Sequence, residues 1–331
     1  MAGAHRVVIT DFVEDAEVER RVLGDLAEVT ALGARGEGEL AGRVEEADAL
    51  MVYHHLSVGR QTLDRLLHCR LIVRCGVGYD NVDHAYARAL GIPVCNVPDY
   101  GTEDVADTAI GMALALARGV AFLNSRLRAG HGAWSYTQAA PLQRLRGAGL
   151  GIVGLGRIGT AVALRGRSLG MDVVFFDPYR PDGADRSLGI RRAESLEELL
   201  GQSRVLTLHC PLTAQTRGMI DAEAIERLPG GSYLVNTARG AVVDTAAVPG
   251  AIASGRLAGA AIDVLPDEPP RPEDPLLQAW RDPAHPAYHR VLITPHAAFY
   301  SEEGLLDMRI KGSEGVRRAL LGLPVRNVVN A

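Results

Sequence analysis

The stretch Gly149–Asp177, GLGIVGLGRIGTAVALRGRSLGMDVVFFD, decides the fold. A short apolar run, Leu150–Val153, leads into Gly154-Leu155-Gly156-Arg157-Ile158-Gly159. A helix-like stretch follows, and a second apolar run, Val173–Phe176, ends in Asp177. Strand, glycine turn, helix, strand and acid in that order predict a dinucleotide-binding unit. Gly154 permits the tight turn, Gly156 lets the backbone approach a pyrophosphate, and Gly159 lets the helix pack closely on the strand. Arg157 and Ile158 open the helix whose free N–H groups face the phosphates. Asp177 can accept hydrogen bonds from both ribose hydroxyls of an adenosine and repels a 2′-phosphate, so the motif predicts NAD rather than NADP. Arg180 is a cation close behind it.

Working outward, short apolar runs alternate with helical stretches on both sides. Before the motif, strands are expected at Val7–Ile9, Ala49–Tyr53, Leu71–Arg74 and Ile92–Cys95, with helices at Val18–Leu26, Gln61–Leu67 and Val82–Leu90. This alternation implies a parallel sheet covered on both faces. Asn96–Thr102 is a turn-rich break and a candidate hinge. A long helix follows from about Glu103 to Arg118, its first turn carrying Glu103 and Asp104 to complement the helix dipole. Residues 130–146 carry glycine, aromatics and arginines without periodicity and read as an arm or subunit contact. After the motif, strands are expected at Val205–Leu208, Ser232–Val235, Ala260–Asp263 and Val291–Thr294, and helices at Ser195–Leu200, Ala222–Leu228 and Ala246–Ser254. Proline-rich Asp267–His289 reads as a long surface loop, and Ser301–Leu321 as a helix polar on one face.

The chain has 331 residues, 47% hydrophobic and 23% charged, with a net charge of −5. That is room for two domains of an ordinary globular protein. No apolar run approaches the roughly 20 residues that cross a bilayer, and the first residues lack a secretory pattern. Membrane association is not expected, and a cytoplasmic location is. No basic block marks a nucleic-acid surface. Cys69, Cys75, Cys95 and Cys210 lack metal-binding spacing and read as reduced thiols, so no metal is expected. Lysine occurs once, at Lys311, against 34 arginines.

Three segments follow the glycine turn, each at the end of an expected strand, where an open parallel sheet lines its ligand crevice. They are Asn236-Thr237-Ala238-Arg239-Gly240, Asp263-Val264-Leu265-Pro266-Asp267-Glu268-Pro269 and Thr294-Pro295-His296-Ala297-Ala298. An Arg, a Glu and a His delivered to one crevice suit reduction of a 2-oxo acid. The guanidinium can hold the carboxylate with two parallel hydrogen bonds and polarise the carbonyl beside it. The His can give a proton to the oxygen as hydride reaches carbon. The Glu can bond the other ring nitrogen and fix the tautomer.

These segments, in this order with the glycine turn, make the chain resemble the D-isomer-specific 2-hydroxyacid dehydrogenases over almost its whole length. The resemblance implies an α/β fold of two Rossmann-like domains. The NAD-binding domain, residues 99–296, is inserted into a discontinuous flavodoxin-like substrate domain, residues 1–98 and 297–331. It implies Arg239, Glu268 and His296 as catalytic residues, the Glu-Pro dipeptide deciding for Glu268 over Asp267. It also implies a homodimer formed through the nucleotide domains. Within the family the chain looks most like the C-terminal-binding-protein corepressors, on Met51-Val52-Tyr53-His54, Ile72–Asn81, Val94–Pro98 and His296–Glu302. On that frame Cys210, Pro211, Thr216, Thr237, Ala238 and Asp263 are further cofactor contacts. Tyr53, His54 and Arg74 face the substrate, and Gly76-Val77-Gly78 can present N–H groups to a carboxylate as an anion nest. The corepressor branch carries tryptophan after His-Ala-Ala, where this chain has Phe299. An aromatic wall over the substrate survives, but an indole-specific contact does not.

The expected function is NAD-dependent interconversion of a 2-oxo acid and a D-2-hydroxy acid, with an apolar or thioether side chain weakly preferred. A phosphorylated or phosphonate acid is a variant of that reading. The alternative is an NAD(H)-sensing protein-interaction module like the corepressors.

Overall fold

The computed structural model describes residues 4–331. The chain divides into two compact units, one ending at Gly101 and resuming at Tyr300, the other Thr102–Phe299. Each crossing falls three residues beyond the expected boundary, which moves Phe299 into the second unit.

The first unit runs β1 (His5–Ile9), α1 (Glu17–Leu23), β2 (Ala27–Ala31), β3 (Ala49–Val52), α2 (Arg60–Leu63), β4 (Leu71–Arg74), α3 (His84–Ala89) and β5 (Val94–Asn96). The second runs α4 (Thr102–Ala117), α5 (Val120–Arg128), β6 (Gly149–Val153), α6 (Arg157–Ser168), β7 (Asp172–Phe176), α7 (Ala184–Leu188), β8 (Arg191–Arg192) and α8 (Leu196–Gln202). It continues through β9 (Val205–Leu208), α9 (Ala222–Arg227), β10 (Ser232–Asn236), α10 (Ala247–Ala253), β11 (Leu257–Ile262), α11 (Pro275–Arg281) and β12 (Val291–Ile293). The chain then returns to the first unit as α12 (Glu302–Leu320).

All strand pairs within the two sheets are parallel. The first sheet has the order β2-β1-β3-β4-β5, and the second β12-β11-β10-β9-β6-β7-β8. The first is the flavodoxin-like order and the second the doubly wound dinucleotide-binding order, as expected. Buried Val, Ile, Leu and Ala side chains cover both faces of each sheet, which is why the strands read as continuous apolar runs rather than alternating ones. In the first unit α12 lies close on the sheet because Gly312 has no side chain; a Cβ there would stand 2.9 Å from Cys75 Sγ. Fully buried Glu19 pairs with Arg309 through two bonds of 2.8 and 2.7 Å and ties α1 to α12.

Three local expectations differ. β2 was not expected: AEVTA is a short edge strand, and its pattern merges with the helix before it. Residues 267–289 are not one loop, since Asp274 caps α11 by accepting from Leu277 N, with Pro275 in its first turn. Seven residues are too few to show a helical period, so only the Asp-Pro start signal was available. Helix α5, ahead of the arm region 130–146, was not expected either; its Ser125 bonds His289 at 2.8 Å. Among the described residues no single helix is long and apolar enough to cross a membrane. Helices α4 and α5 would pass only together, and they are bent by 64°. The four cysteines are free thiols.

Candidate active site

The second sheet reverses its order between β6 and β9, and a ligand crevice opens at the carboxyl ends of strands flanking such a point. Gly154 sits at the end of β6 with φ +88°, in the left-handed region. A Cβ there would lie 2.8 Å from Cys210 N, so glycine is required both by conformation and by the approach of the β9 end. A Cβ on Gly159 would stand 2.0 Å from Gly154 O, which is the close helix–strand packing. A Cβ on Gly156 would meet nothing within 4 Å: the space above the start of α6 is open. Exposed Arg157 and half-buried Ile158 begin the helix. Asp177, just past β7, accepts from Leu155 N at 2.9 Å and Tyr179 N at 3.0 Å, tying the acid to the glycine turn; Arg180 Nε stands 3.9 Å away.

A cradle that a Cβ would fill and an acid fixed over its rim fit a dinucleotide. Two buried polar atoms without hydrogen-bond partners among the described residues add to the fit, Thr237 Oγ1 and His209 Nδ1. Thr237 was an expected contact. His209 was missed, although its place at the end of β9, one residue before Cys210, was the available signal. Burial pushes the His209 pKa down to about 3, so the ring is neutral and Nε2 bonds Thr207 Oγ1 at 2.9 Å. Burial also pushes the Cys210 thiol up to about 11. Thr216 spends its hydroxyl inside the turn, donating to Pro211 O at 2.6 Å and accepting from Thr213 N at 2.8 Å.

The three segments after the glycine turn converge by identifiable means. Asn236 closes the first one on itself, its Nδ2 donating to Arg239 O at 3.0 Å and its Oδ1 accepting from Ala238 N at 3.0 Å. Gly240 lets that loop touch the next, since a Cβ would lie 2.0 Å from Leu265 C. Glu268 Oε1 accepts from Leu265 N at 2.8 Å, and Oε2 stands 2.6 Å from His296 Nδ1. Asp267 instead points to Arg271, 3.3 Å away. Burial pushes the Glu268 pKa up, but the His296 hydrogen bond, the charges of His296 and Arg239 and the Leu265 N–H outweigh it. The result lies below the ordinary carboxylate value, so Glu268 is ionised at neutral pH. Half-buried Arg239 donates to Ala238 O at 2.8 Å.

Asp263 was expected at the cofactor, and its carboxylate also organises the loop that carries His296. Oδ1 accepts from Thr294 Oγ1 at 2.5 Å and Ala297 N at 2.9 Å, and Oδ2 accepts from Ala298 N at 3.1 Å. Its backbone O accepts from His296 N at 2.8 Å. The loop carrying His296 is thus wound around one acid. His296 itself is held at φ +50°, a conformation uncommon for a residue with a Cβ and often found at functional positions. The Phe299 ring stands edge-on to His296 at 6.2 Å.

In the first unit, Tyr53 was expected to face substrate. Its side chain is instead fully buried in the core, stacked on Phe12 at 5.2 Å, with its hydroxyl donating to Glu19 Oε1 at 3.4 Å. Residue 53 ends a strand, and side-chain direction there follows strand alternation, which a fully apolar strand conceals. Half-buried His54 also packs on Phe12, at 4.8 Å. Arg74 is 6% exposed, with Nε donating to Asn81 Oδ1 at 3.2 Å and Nη1 to Cys75 O at 3.4 Å. Gly76, φ +148°, leaves the room for it: a Cβ would stand 1.7 Å from Arg74 Nη1. Half-buried Val77 and Gly78 follow. Asn81 was not singled out, yet its Nδ2 also donates to Tyr53 O and Leu56 O, both at 2.8 Å.

Residues 110–298 match the model of the D-isomer specific 2-hydroxyacid dehydrogenase family, NAD binding domain. The chain belongs to this family. Its cofactor is NAD. It is 33% identical over 315 residues to C-terminal-binding protein 1 of Caenorhabditis elegans, covering 93% of this chain and 42% of that protein. It is 32% identical over 325 residues to D-3-phosphoglycerate dehydrogenase of Methanocaldococcus jannaschii, covering 98% and 59%. Each of these relatives is thus considerably longer than the part matched. The crystal structure of D-lactate dehydrogenase from Aquifex aeolicus, complexed with NAD and lactic acid, superposes with a TM-score of 0.85. That match has 27% identity and covers 98% of this chain and 99% of that one.

Proposed function

We propose that this family member interconverts a 2-oxo acid and a D-2-hydroxy acid with NAD. The observation that carries the reading is the 2.6 Å contact between Glu268 Oε2 and His296 Nδ1, at the strand ends beside the dinucleotide cradle. When bound, NADH supplies the hydride that reduces the carbonyl carbon, and NAD accepts it in reverse. His296 moves the proton: with Nδ1 bonded to Glu268, Nε2 is the ring atom assigned to the substrate oxygen. Glu268 fixes that tautomer and stabilises the imidazolium. Arg239 holds the carboxylate and polarises the carbonyl. Asp263, Asn236 and Gly240 hold the three loops in place. Phe299 forms an apolar wall beside His296, which favours an apolar or thioether side chain. From the first unit, Arg74, His54 and the turn Gly76-Val77-Gly78 are assigned to the substrate by family resemblance. Tyr53 is not, because its side chain lies in the core.

The same proposal includes a cytoplasmic homodimer formed through the nucleotide domain. It is supported by the free cysteines and by the exposure of Trp134 and Tyr136 in the segment after α5. The likeness to C-terminal-binding protein 1 favours one second reading, an NAD(H)-sensing interaction module. Replacing His296 with Ala separates the two. The dehydrogenase reading expects turnover to vanish with NADH affinity nearly intact. Unchanged turnover would remove His296 from proton transfer.

A further inference from the structure

The first unit contains an open cavity of about 400 Å³ built from none of the residues assigned to catalysis or substrate. That size is within the range of small-ligand sites. Its floor is apolar: Val73, Cys95 and Gly315, the last contributing no side chain. Its walls are charged, with Lys311, Arg317 and Arg318 from the C-terminal half of α12 and Arg326 from the segment after it, against Asp99 and Glu314. Four cations face two acids in a chain whose net charge is −5.

The wall beyond α12 is fixed. Asn327 O accepts from Asn96 N at 3.2 Å, and Val329 N donates to Val94 O at 2.8 Å, so the final residues pair along the edge of β5. Buried Asn330 locks that pairing with three hydrogen bonds, to Val94 N, His84 O and Ile92 O. Arg326 is thereby carried on an anchored segment. Among the described residues Arg317 and Arg326 form no ion pair, whereas Arg318 is held by Pro324 O at 2.7 Å and Lys311 lies 3.3 Å from Asp99 and 3.4 Å from Asp307. Burial is the largest single influence on Lys311 and works against its charge, but the Asp99 and Asp307 carboxylates together outweigh it and raise its pKa, so it is an ammonium rather than a nucleophile. The chain uses arginine at every other basic position, and its one lysine stands here. A compact ammonium with three rotatable donors is a point charge that a planar guanidinium does not replace.

We propose that this cavity is a second ligand site, for a small organic anion carrying at least two negative charges and a short apolar body. The guanidinium groups of Arg317 and Arg326 with the Lys311 ammonium bind the charges, and the Val73–Cys95 floor receives the body. Two wall residues also hold the glycine turn, Asn96 Nδ2 donating to Val77 O at 2.6 Å and Val97 N to Gly76 O at 3.1 Å. A bound anion therefore sits one hydrogen bond from residues 76–78.

The single lysine supplies the test. Acetylation with an N-hydroxysuccinimide ester, read by peptide mass spectrometry, reports Lys311 alone among the side-chain amines. Citrate and pyrophosphate are the probes, one a carboxylate and one a phosphate anion. The site predicts that at least one of them slows acetylation of Lys311 several-fold in a saturable manner, and does so equally in Arg239→Ala protein. In Arg317→Ala/Arg326→Ala protein the concentration needed rises roughly tenfold or more, as expected for loss of two charged partners. Should that double variant not fold, Arg317→Gln carries the same prediction with a smaller rise. No protection by either probe at 10 mM would overturn the proposal. So would protection that vanishes in Arg239→Ala but persists without Arg317 and Arg326, since the anion would then belong to the catalytic residues. Because no turnover is measured, failure here and failure of the dehydrogenase reading are separate results.

Discussion

Replacing Asp177 with Ala tests the cofactor assignment most sharply, because two of its effects have different signatures. The carboxylate accepts from Leu155 N at 2.9 Å. Losing that acceptor costs the glycine turn about 1–3 kcal/mol for an unsatisfied donor, and this penalty falls on any dinucleotide. The ribose diol of NADH would place two further donors on the same group. Hydrogen bonds to a charged acceptor contribute about 1.5–3 kcal/mol each. The side chain is only 14% exposed, so water competes weakly. The lower end for both bonds is about 3 kcal/mol, or roughly a hundredfold in Kd. NADPH loses no diol, is relieved of the repulsion between Asp177 and its 2′-phosphate, and gains access to Arg180, whose Nε stands 3.9 Å from the carboxylate. The ratio of the two dissociation constants, measured by NADH and NADPH fluorescence titration, should therefore move toward NADPH by about a hundredfold or more. Asp177→Asn, which keeps an acceptor for Leu155 N, should separate the turn penalty from the ribose term. Equal weakening of both cofactors by the alanine change would refute the ribose contact and leave Asp177 as a brace for the turn.

Three further outcomes follow from the geometry. Gly156→Ala should leave Tm unchanged, because its Cβ meets nothing within 4 Å, yet weaken NADH binding. Gly159→Ala should lower both, by about 1–3 kcal/mol in stability for an overpacked contact; calorimetry and titration on the same samples compare them. Asp263→Asn leaves one of three N–H or O–H donors facing an amide, so kcat should fall at least about tenfold while the Kd for NADH stays nearly constant. A rise in Kd with kcat preserved would return this acid to the cofactor. Glu268 has its pKa held below the ordinary carboxylate value, so its ionisation contributes stability above that value and loses it as pH falls through the lowered one. The Tm difference between wild type and Glu268→Gln should shrink as pH falls from the ordinary carboxylate value through the lowered one. A difference that grows over that acid range would contradict the sign.

What the sequence made legible was whatever local chemistry dictates. The glycine turn can be read because positive φ at Gly154 and the absent Cβ at Gly159 are obligations no other residue meets. The parallel character of the sheets was legible from alternation, since parallel strands need helical crossovers. The loops bearing Arg239, Glu268 and His296 were legible as strand ends. What stayed hidden depends on direction and partners. Tyr53 is buried and the adjacent His54 only half so, and a strand apolar on both faces, as β3 is, carries no alternation to reveal which of the residues after it turns into the core. Asp263 reads as a ligand because it ends a strand, and only the three donors folded over it show that it also organises the His296 loop. Asn81 cross-links Arg74 to the residues after β3, a long-range relation with no local pattern. Helix α11 and strand β2 are too short for their periods to stand out from proline-rich or helical surroundings.

The central claim is tested most directly by NADH oxidation with purified protein across a panel of 2-oxo acids. The panel includes pyruvate, glyoxylate, hydroxypyruvate, branched, aromatic, thioether, phosphorylated and phosphonate examples, with NADPH as control. The account predicts one clear best substrate, apolar or thioether in its side chain, with high kcat/KM and a preference for NADH. Tight NADH binding with only feeble turnover on every acid would contradict it and favour the interaction module.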